Sequence, residues 1–290
     1  MTKKHDSQYL KIKKFLSQDK GFERGINRER TLCQYTEALR RHIGLDMLEG
    51  FNPEEIINHL KRINLKVSTK KLIYCATRKW FLLADRKDIV RVLEDNKPVF
   101  KSNRSKRYLT YSELIRLYNY CDTLEKKIVF HLLALSGLRP ATLLYIRCED
   151  VKETNILIQG YIVGNKAKQD YYANLTKRTK KLIDKYKKEK KKQPKDFLFD
   201  FNKEWDKLAE QTKIWKLNDY INTIGKEAGF SKMNPYFLRH TFGVMHYNAY
   251  NDILKTRDKM GQLNVSATEV YAVSDDVWKD KSRELLEVGL

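Results

Sequence analysis

Residues 234–271 read NPYFLRHTFGVMHYNAYNDILKTRDKMGQLNVSATEVY. Arg239 lies in an apolar-flanked segment of this stretch. Gly261 and Gln262 form a Gly-Gln pair, and Tyr271 follows Gln262 by nine residues. An arginine among residues that should be buried is costly unless something anionic meets it, so Arg239 is a candidate functional residue. The same holds for Arg139, a hundred residues upstream in LALSGLRPATLL, residues 133–144.

The sequence around these two arginines is mainly helical. Thr110-Tyr-Ser-Glu113 is a capping box, in which the first side chain and the fourth satisfy each other's backbone N–H groups. Leu114, Leu117, Tyr118 and Cys121 give the helix it starts an apolar side. The next helix, Leu124 to Ser136, is apolar on several faces and should be buried. It stops at Ser136-Gly137, and Pro140 starts a new helix after Arg139. From Asn155 to Leu175 the period changes. ILIQGYIVGN and DYYANL are β-branched and aromatic runs around the turn Lys166-Ala167-Lys168-Gln169, which predicts a small antiparallel sheet with lysines at a hairpin tip. Thr176 to Lys192 is a very basic helix with Leu182, Ile183 and Tyr186 as its inner face, and Pro194 ends it. FLFDF, residues 197–201, reads as a short buried segment. Lys213 to Ala228 forms a helix on Trp215, Leu217, Ile221 and Ile224, closed by Gly229.

Residues 1–96 read as a separate helical domain. Tyr9, Leu10, Ile12 and Phe15 recur at near-helical spacing, and Asn27 is a candidate cap for a helix on Leu32, Tyr35, Leu39 and Ile43. Pro53 followed by Glu54 and Glu55 suits a helix start, because proline loses no bond there and acids favour the positive dipole end. Ile56, Ile57, Leu60 and Ile63 then form one stripe. Ser68 opens a further helix with Leu72, Ile73, Ala76, Trp80 and Phe81 on one side and Lys70, Lys71, Arg78 and Lys79 on the other. That makes four or so amphipathic helices with basic faces. KPVFKSNRSKR, residues 97–107, has a proline, no periodicity and five basic residues, and reads as a linker. The predicted fold is therefore mainly α with a small antiparallel sheet in the second domain. The domains are 1–96, a linker 97–107, and 108–290 with a C-terminal tail 273–290.

Composition narrows the partners. The chain carries 58 basic and 37 acidic residues, a net charge of +21, so a polyanion is the expected partner and nucleic acid comes first. No apolar run approaches the ~20 residues a membrane span needs. MTKKHDSQYLKIKKF lacks the apolar core of a signal peptide. An intracellular, cytoplasmic protein with no membrane partner is expected. Cys33, Cys75, Cys121 and Cys148 stand too far apart for a zinc cluster or a disulfide framework.

Four stretches, LALSGLRPATLLYIRCEDV, GNKAKQDYYANL, YFLRHTFG and MGQLNVSATEVYA, occur in the order and at the intervals of the boxes of the tyrosine recombinase (phage-type integrase) family. Residues 109–273 resemble its catalytic domain, and the helical N-terminal part more loosely resembles its core-binding domain. The resemblance implies a site-specific DNA recombinase, an integrase of a mobile element such as those of archaea. It would act as a homo-tetramer on double-stranded DNA, without metal or cofactor. It also implies that Arg139 and Arg239 hold the scissile phosphate, Lys166 (favoured over Lys168) protonates the leaving 5′-oxygen, and Tyr271 is the nucleophile of a 3′-phosphotyrosyl intermediate. The chemistry fits these residue types. Guanidiniums present forked donors to the oxygens on which charge develops, and a tyrosine oxygen can store the phosphodiester's energy in a covalent link.

Two further candidates depart from the family's commonest pattern. Tyr236 stands where His or Lys is usual, three residues before Arg239, and Gln262 stands where His or Trp is usual. Gln can donate a hydrogen bond but takes no proton at neutral pH, so the boxes assign no acceptor to the Tyr271 proton. Thr142 stands where an acid often braces the first arginine. His240, directly after Arg239, should point elsewhere on its helix and be structural, and His246 should pack. Trp278, Leu285 and Leu286 give the tail an apolar face that fits either its own chain or a neighbouring copy. Two other functions remain open at this stage: a type IB topoisomerase-like DNA-relaxing enzyme, and a DNA-binding protein with a decayed site.

Overall fold

A computed structural model of the chain describes residues 2–18, 28–50, 52–97, 107–160, 169–205 and 207–290. The chain divides into two units, Met1–Arg104 and Ser105–Leu290. The described residues of the first unit form six helices: α1 (Thr2–Leu16), α2 (Arg28–His42), α3 (Leu45–Glu49), α4 (Pro53–Arg62), α5 (Val67–Leu83) and α6 (Lys87–Asp95). This is more than the four or so predicted. α3 is a single turn or so, and α6 arises from KDIVRVLED, whose Ile89, Val90 and Leu93 are buried. Asn52 caps α4 by accepting from the Glu54 N–H at 3.0 Å, while the predicted Asn27 cap lies outside the described residues. Ile12, Leu16, Leu39, Ile56, Leu60, Ile73 and Phe81 close a core of their own. Phe15 packs on Trp80 with ring centres 4.2 Å apart. Leu10, predicted on the inner face of α1, is exposed.

The second unit opens with a half-buried helix followed by a buried one. α7 (Tyr111–Asn119) begins with the predicted capping box, both of whose bonds form between Thr110 and Glu113. α8 (Leu124–Ala134) is buried continuously from Ile128 to Ala134. Each such fully buried aliphatic side chain contributes roughly 1.5–3 kcal/mol relative to exposure. The predicted new helix at Pro140 is one 3-10 turn, Pro140–Leu144. β1 (Asn155–Ile158) and β2 (Tyr171–Asn174) pair antiparallel, with Ile156 opposite Ala173 and both buried. The hairpin tip, with Lys166 and Lys168, lies outside the described residues.

α9 (Lys177–Glu189) is capped by Thr176 and buries Ile183 and Tyr186. Phe201, the first residue of α10 (Phe201–Glu204), stacks on Phe199 before the helix and Trp205 after it, with ring centres 5.0 and 4.8 Å apart. α11 (Glu210–Glu227) starts three residues earlier than predicted. Its inner face is Leu217, Ile221 and Ile224, but Trp215 is 63% exposed. Two residues along a helix is about 200° of rotation, which puts Trp215 opposite Leu217.

α12 (Pro235–Tyr250), capped by Asn234, packs against α8 and against α14 (Asp276–Glu287). Between them run α13 (Ile253–Lys259) and the 3-10 turns Val265–Ala267 and Glu269–Tyr271. Asn248 ties the two helices together: its Oδ1 accepts from the Asp275 N–H and its Nδ2 donates to the Val273 carbonyl, at 3.0 and 2.8 Å. The tail therefore seats on its own chain, with Trp278 and Leu285 buried.

Two histidines lie in this core. His131 Nδ1 meets Thr179 Oγ1, and His246 Nδ1 meets Thr256 Oγ1, each at 2.8 Å. His246 packs, as predicted. Burial pushes the pKa of His131 down to about 3 and that of His246 to about 4.

An unfolded histidine binds its proton near pH ~6.5, whereas the fold keeps both imidazoles neutral well below that. The unfolded state thus takes up more protons, so their contribution to stability is complete above pH ~6.5 and is lost as pH falls towards the folded values. Burial lowers half-exposed His42 in the same direction. Urea denaturation of the full chain should show stability decreasing from pH ~6.5 to ~5, above the range where most carboxylates titrate. A flat profile there would contradict this account.

Candidate active site

Three segments bring the candidate side chains together: the turn after α8, the first two turns of α12, and residues 260–271. Arg139 follows Gly137, whose φ of +64° is the left-handed conformation that glycine tolerates. A Cβ at Gly137 would also lie 2.3 Å from the Phe242 ring. Arg139 donates from Nη2 to the Gly261 carbonyl at 2.6 Å. Arg239, on α12, donates from Nη1 to the Gly137 carbonyl at 2.5 Å and from Nη2 to the Met260 carbonyl at 2.7 Å. The two guanidiniums are thus tied to successive carbonyls at the end of α13.

No carboxylate among the described residues bonds to either guanidinium. Arg239 is 3% exposed. Burial, and then the neighbouring Arg139 charge, push its pKa down to about 10. Arg139 Nη1 is buried with no hydrogen-bond partner. Two adjacent cations without a counter-charge, one of them with a buried unused donor, favour a bound anion, because an unpaired buried charge is expensive. Guanidinium forks suit the geometry of phosphate oxygens.

Tyr271 stands beside this pair and is 1% exposed. Its ring lies over Gly243 on α12, where an added Cβ would come within 2.7–2.9 Å of three ring atoms. Burial raises its pKa, while Arg239, a hydrogen bond from Gln262 and Arg139 act in the opposite direction. Gln262 Oε1 accepts from Thr268 Oγ1 at 2.7 Å. That bond orients the amide so that Nε2 is the group left to donate inwards, where it also meets Met260 Sδ at 3.7 Å.

His240 points towards Tyr271, contrary to the expectation that it points elsewhere on its helix. Its Nδ1 lies 2.8 Å from the Tyr271 hydroxyl, with ring centres 5.6 Å apart. Adjacent helical residues diverge by only about 100°, so Arg239 and His240 both border the groove in which Tyr271 lies. Tyr236, one turn before His240, is 45% exposed with its ring centre 6.3 Å away. It therefore stands at the rim, close enough to influence the Arg239 charge.

Of the six predicted site residues, Arg139, Arg239, Gln262 and Tyr271 come together, Tyr236 borders them, and Lys166 lies outside the described residues. The sequence reading misses His240 and Tyr171. The Tyr171 ring lies against Gly261, where a Cβ would come within 2.7 Å of it, and its hydroxyl is buried without a hydrogen-bond partner. A signal for His240 is present: Tyr236, Arg239, His240 and Gly243 have the i, i+3, i+4, i+7 spacing of one helix face. Among the described residues no group of three His, Cys, Asp or Glu could hold a metal ion.

Gly243→Ala should gain up to ~1 kcal/mol of helix propensity yet lose stability overall. The added methyl overlaps the Tyr271 ring, and overpacking of this kind costs about 1–3 kcal/mol. Denaturant unfolding of the two proteins checks this; a stabilised variant would mean that Tyr271 is not held against α12.

Comparison with known proteins places this geometry. Residues 107–277 match the model of the phage integrase family. Tyrosine recombinase XerA of Pyrococcus horikoshii is 26% identical over 248 residues, which cover 83% of this chain and 82% of that protein. Tyrosine recombinase XerC of Staphylococcus aureus is 24% identical over 258 residues, with coverage of 83% and 82%. The fold is similar to that of a lambda integrase tetramer bound to a Holliday junction, with a TM-score of 0.61 at 17% identity, covering 94% of this chain and 77% of that one. It is also similar to the Tn1549 transposon integrase in complex with transposon right end DNA, with a TM-score of 0.62 at 14% identity and coverage of 94% and 98%. The family match spans more than half of the 290 residues and contains every candidate residue named above, and the chain therefore belongs to the phage integrase family.

Proposed function

We propose that this protein is a site-specific DNA recombinase that cleaves and rejoins double-stranded DNA through a 3′-phosphotyrosyl intermediate on Tyr271. The observation that carries this reading is the pair of carboxylate-free guanidiniums beside a buried tyrosine hydroxyl. Arg139 and Arg239 hold the non-bridging oxygens of the scissile phosphate. Their bonds to backbone carbonyls fix them in place before DNA arrives, and electrostatic catalysis depends on such preorganisation. Tyr271 Oη attacks phosphorus, the P–O5′ bond breaks, and Lys166 at the hairpin tip gives the departing 5′-oxygen a proton. Gln262 donates to the reacting oxygens, and Tyr236 lines the entrance. Rejoining runs the same steps in reverse with a different 5′-hydroxyl.

The helical first unit, residues 1–96, is the core-binding part. Its lysines and arginines, including Lys70, Lys71, Arg78 and Lys79 on α5, make sequence-independent contacts to DNA phosphates, as the net charge of +21 favours. Residues 97–107 link it to the catalytic part, 108–290. The working form on DNA is a homo-tetramer, as in the lambda integrase complex that shares the fold. No helix among the described residues is long and apolar enough to cross a membrane, and we place the protein in the cytoplasm with its DNA.

Incubation with a nicked duplex carrying the target site, which traps the cleaved state, tests the reading on a denaturing gel. Wild-type protein should give a covalent protein–DNA band, and Tyr271→Phe should give none. Arg139→Ala and Arg239→Ala should each slow band formation roughly 10²–10³-fold, the usual cost of removing one preorganised donor. A band that persists in Tyr271→Phe would overturn the assignment.

A further inference from the structure

We propose that His240 is the general base of the reaction, taking the Tyr271 proton on Nδ1 as the phenol oxygen attacks phosphorus. This rests on the reading of Tyr271 as the nucleophile and supplies the acceptor that the sequence leaves unassigned.

Geometry comes first. His240 Nδ1 lies 2.8 Å from the Tyr271 oxygen, within the ~2.6–3.2 Å reach that direct proton transfer needs. With the neutral imidazole's proton on Nε2, Nδ1 offers its lone pair to the phenol. The contact is set by the fold. Gly243, three residues on, admits the Tyr271 ring against α12, and the 3-10 turn Glu269–Tyr271 brings the hydroxyl back over the helix. Both partners belong to the same unit, so the pair forms without a second copy of the chain.

Elimination agrees with geometry. Among the described residues, the titratable and charged groups placed around the pair are Tyr236 on α12, Arg239 on α12 and Arg139 after α8. The guanidiniums are already protonated, and Tyr236 is a phenol of the same class as the group to be deprotonated. Gln262 on the facing segment donates a hydrogen bond but accepts no proton. A buried phenol does not ionise readily by itself, so attack needs an acceptor. Among these groups only an imidazole changes its charge near neutral pH.

The step balances. The phenol proton moves to Nδ1 and leaves an imidazolium, the phenolate oxygen forms the new P–O bond, and the P–O5′ bond breaks with the 5′-oxygen leaving as a protonated alcohol. In the rejoining step the P–O bond to Tyr271 breaks, and the imidazolium returns its proton to the phenolate.

The test is single-turnover formation of the covalent complex by the full chain on the nicked duplex, from pH 5.5 to 8.5. Wild-type rates should fall as pH drops through the imidazole range. His240→Asn, which retains a polar group near the position of Nδ1 but cannot accept a proton, should be slower by roughly 10²–10³-fold and insensitive to pH in that range. A duplex with a 5′-bridging phosphorothiolate, whose sulfur leaves without needing a proton, should restore Lys166→Ala but not His240→Asn. His240→Ala should recover rate when free imidazole is added.

The proposal is overturned if folded His240→Asn cleaves within about threefold of wild type, since general base catalysis contributes far more. It is also overturned if the phosphorothiolate rescues that variant. If the variants do not fold, the wild-type profile decides, and a rate that does not fall through the imidazole range overturns it. A Tyr271-dependent band indifferent to His240 removes only this inference, whereas a band that survives Tyr271→Phe removes the nucleophile reading itself.

Discussion

The site depends on two guanidiniums fastened to backbone carbonyls. Arg239 bridges Gly137 and Met260, and Arg139 reaches Gly261, so two arginines a hundred residues apart are bound to one short stretch of chain. Most buried arginines are neutralised by carboxylates. Here the described residues supply partial negative charges from carbonyl dipoles instead, which fix direction without cancelling charge. Arg139 pushes the Arg239 pKa down, a sign that the pair repel each other. That repulsion is held in the folded protein, and a bound anion would relieve it.

The rest of the second unit follows from keeping that arrangement rigid. α8 is buried along most of its length and ends at the left-handed Gly137, which aims the carbonyl that Arg239 uses. α12 carries Arg239 inward, His240 beside it and Gly243 a turn later, so one helix face carries a guanidinium, an imidazole and a space for the tyrosine ring. α14 then covers α12 with Trp278 and Leu285, and Asn248 fixes where the chain re-enters after Tyr271. Tyr271 thus sits between two anchored points, at Thr268 and Asp275, and its freedom is limited by both.

Much of this is legible in the residues, and what is not has physical causes. The Thr110–Glu113 capping box, the apolar run of α8 and the period change at Asn155 are local patterns, and each appears as read. Arg139 and Arg239 stand out because charge in an apolar context has few explanations. α6 is missed although four of its nine residues are apolar and Ile89, Val90 and Leu93 fall on one buried side. Trp215 reads as core because it is aromatic, although its phase on α11 puts it outside. His240 is misjudged for a different reason. It follows Arg239 directly, and a step of about 100° is too small to leave the site. Buried Tyr271 meets it there, and only the tertiary path of residues 260–271 reveals this. Tyr171 is hidden likewise, since its place over Gly261 depends on how the sheet meets α13.

The departures Tyr236 and Gln262 acquire a common explanation once the fold is in view. In a site that already holds two guanidiniums, a further cation at position 262 would add to the repulsion that lowers the Arg239 pKa. A neutral amide avoids this while still donating to the phenol oxygen, and Thr268 keeps it facing the right way. Electrostatic support of the phenolate and removal of its proton then become separate tasks. Gln262 and the guanidiniums favour the negative oxygen, and in the proposed mechanism the imidazole one helical step from Arg239 takes the proton. Tyr236 stands half-exposed at the start of α12, with its ring centre 6.3 Å from that of His240. Separating the two tasks gives the neutral residues at both variant positions a role in a working site.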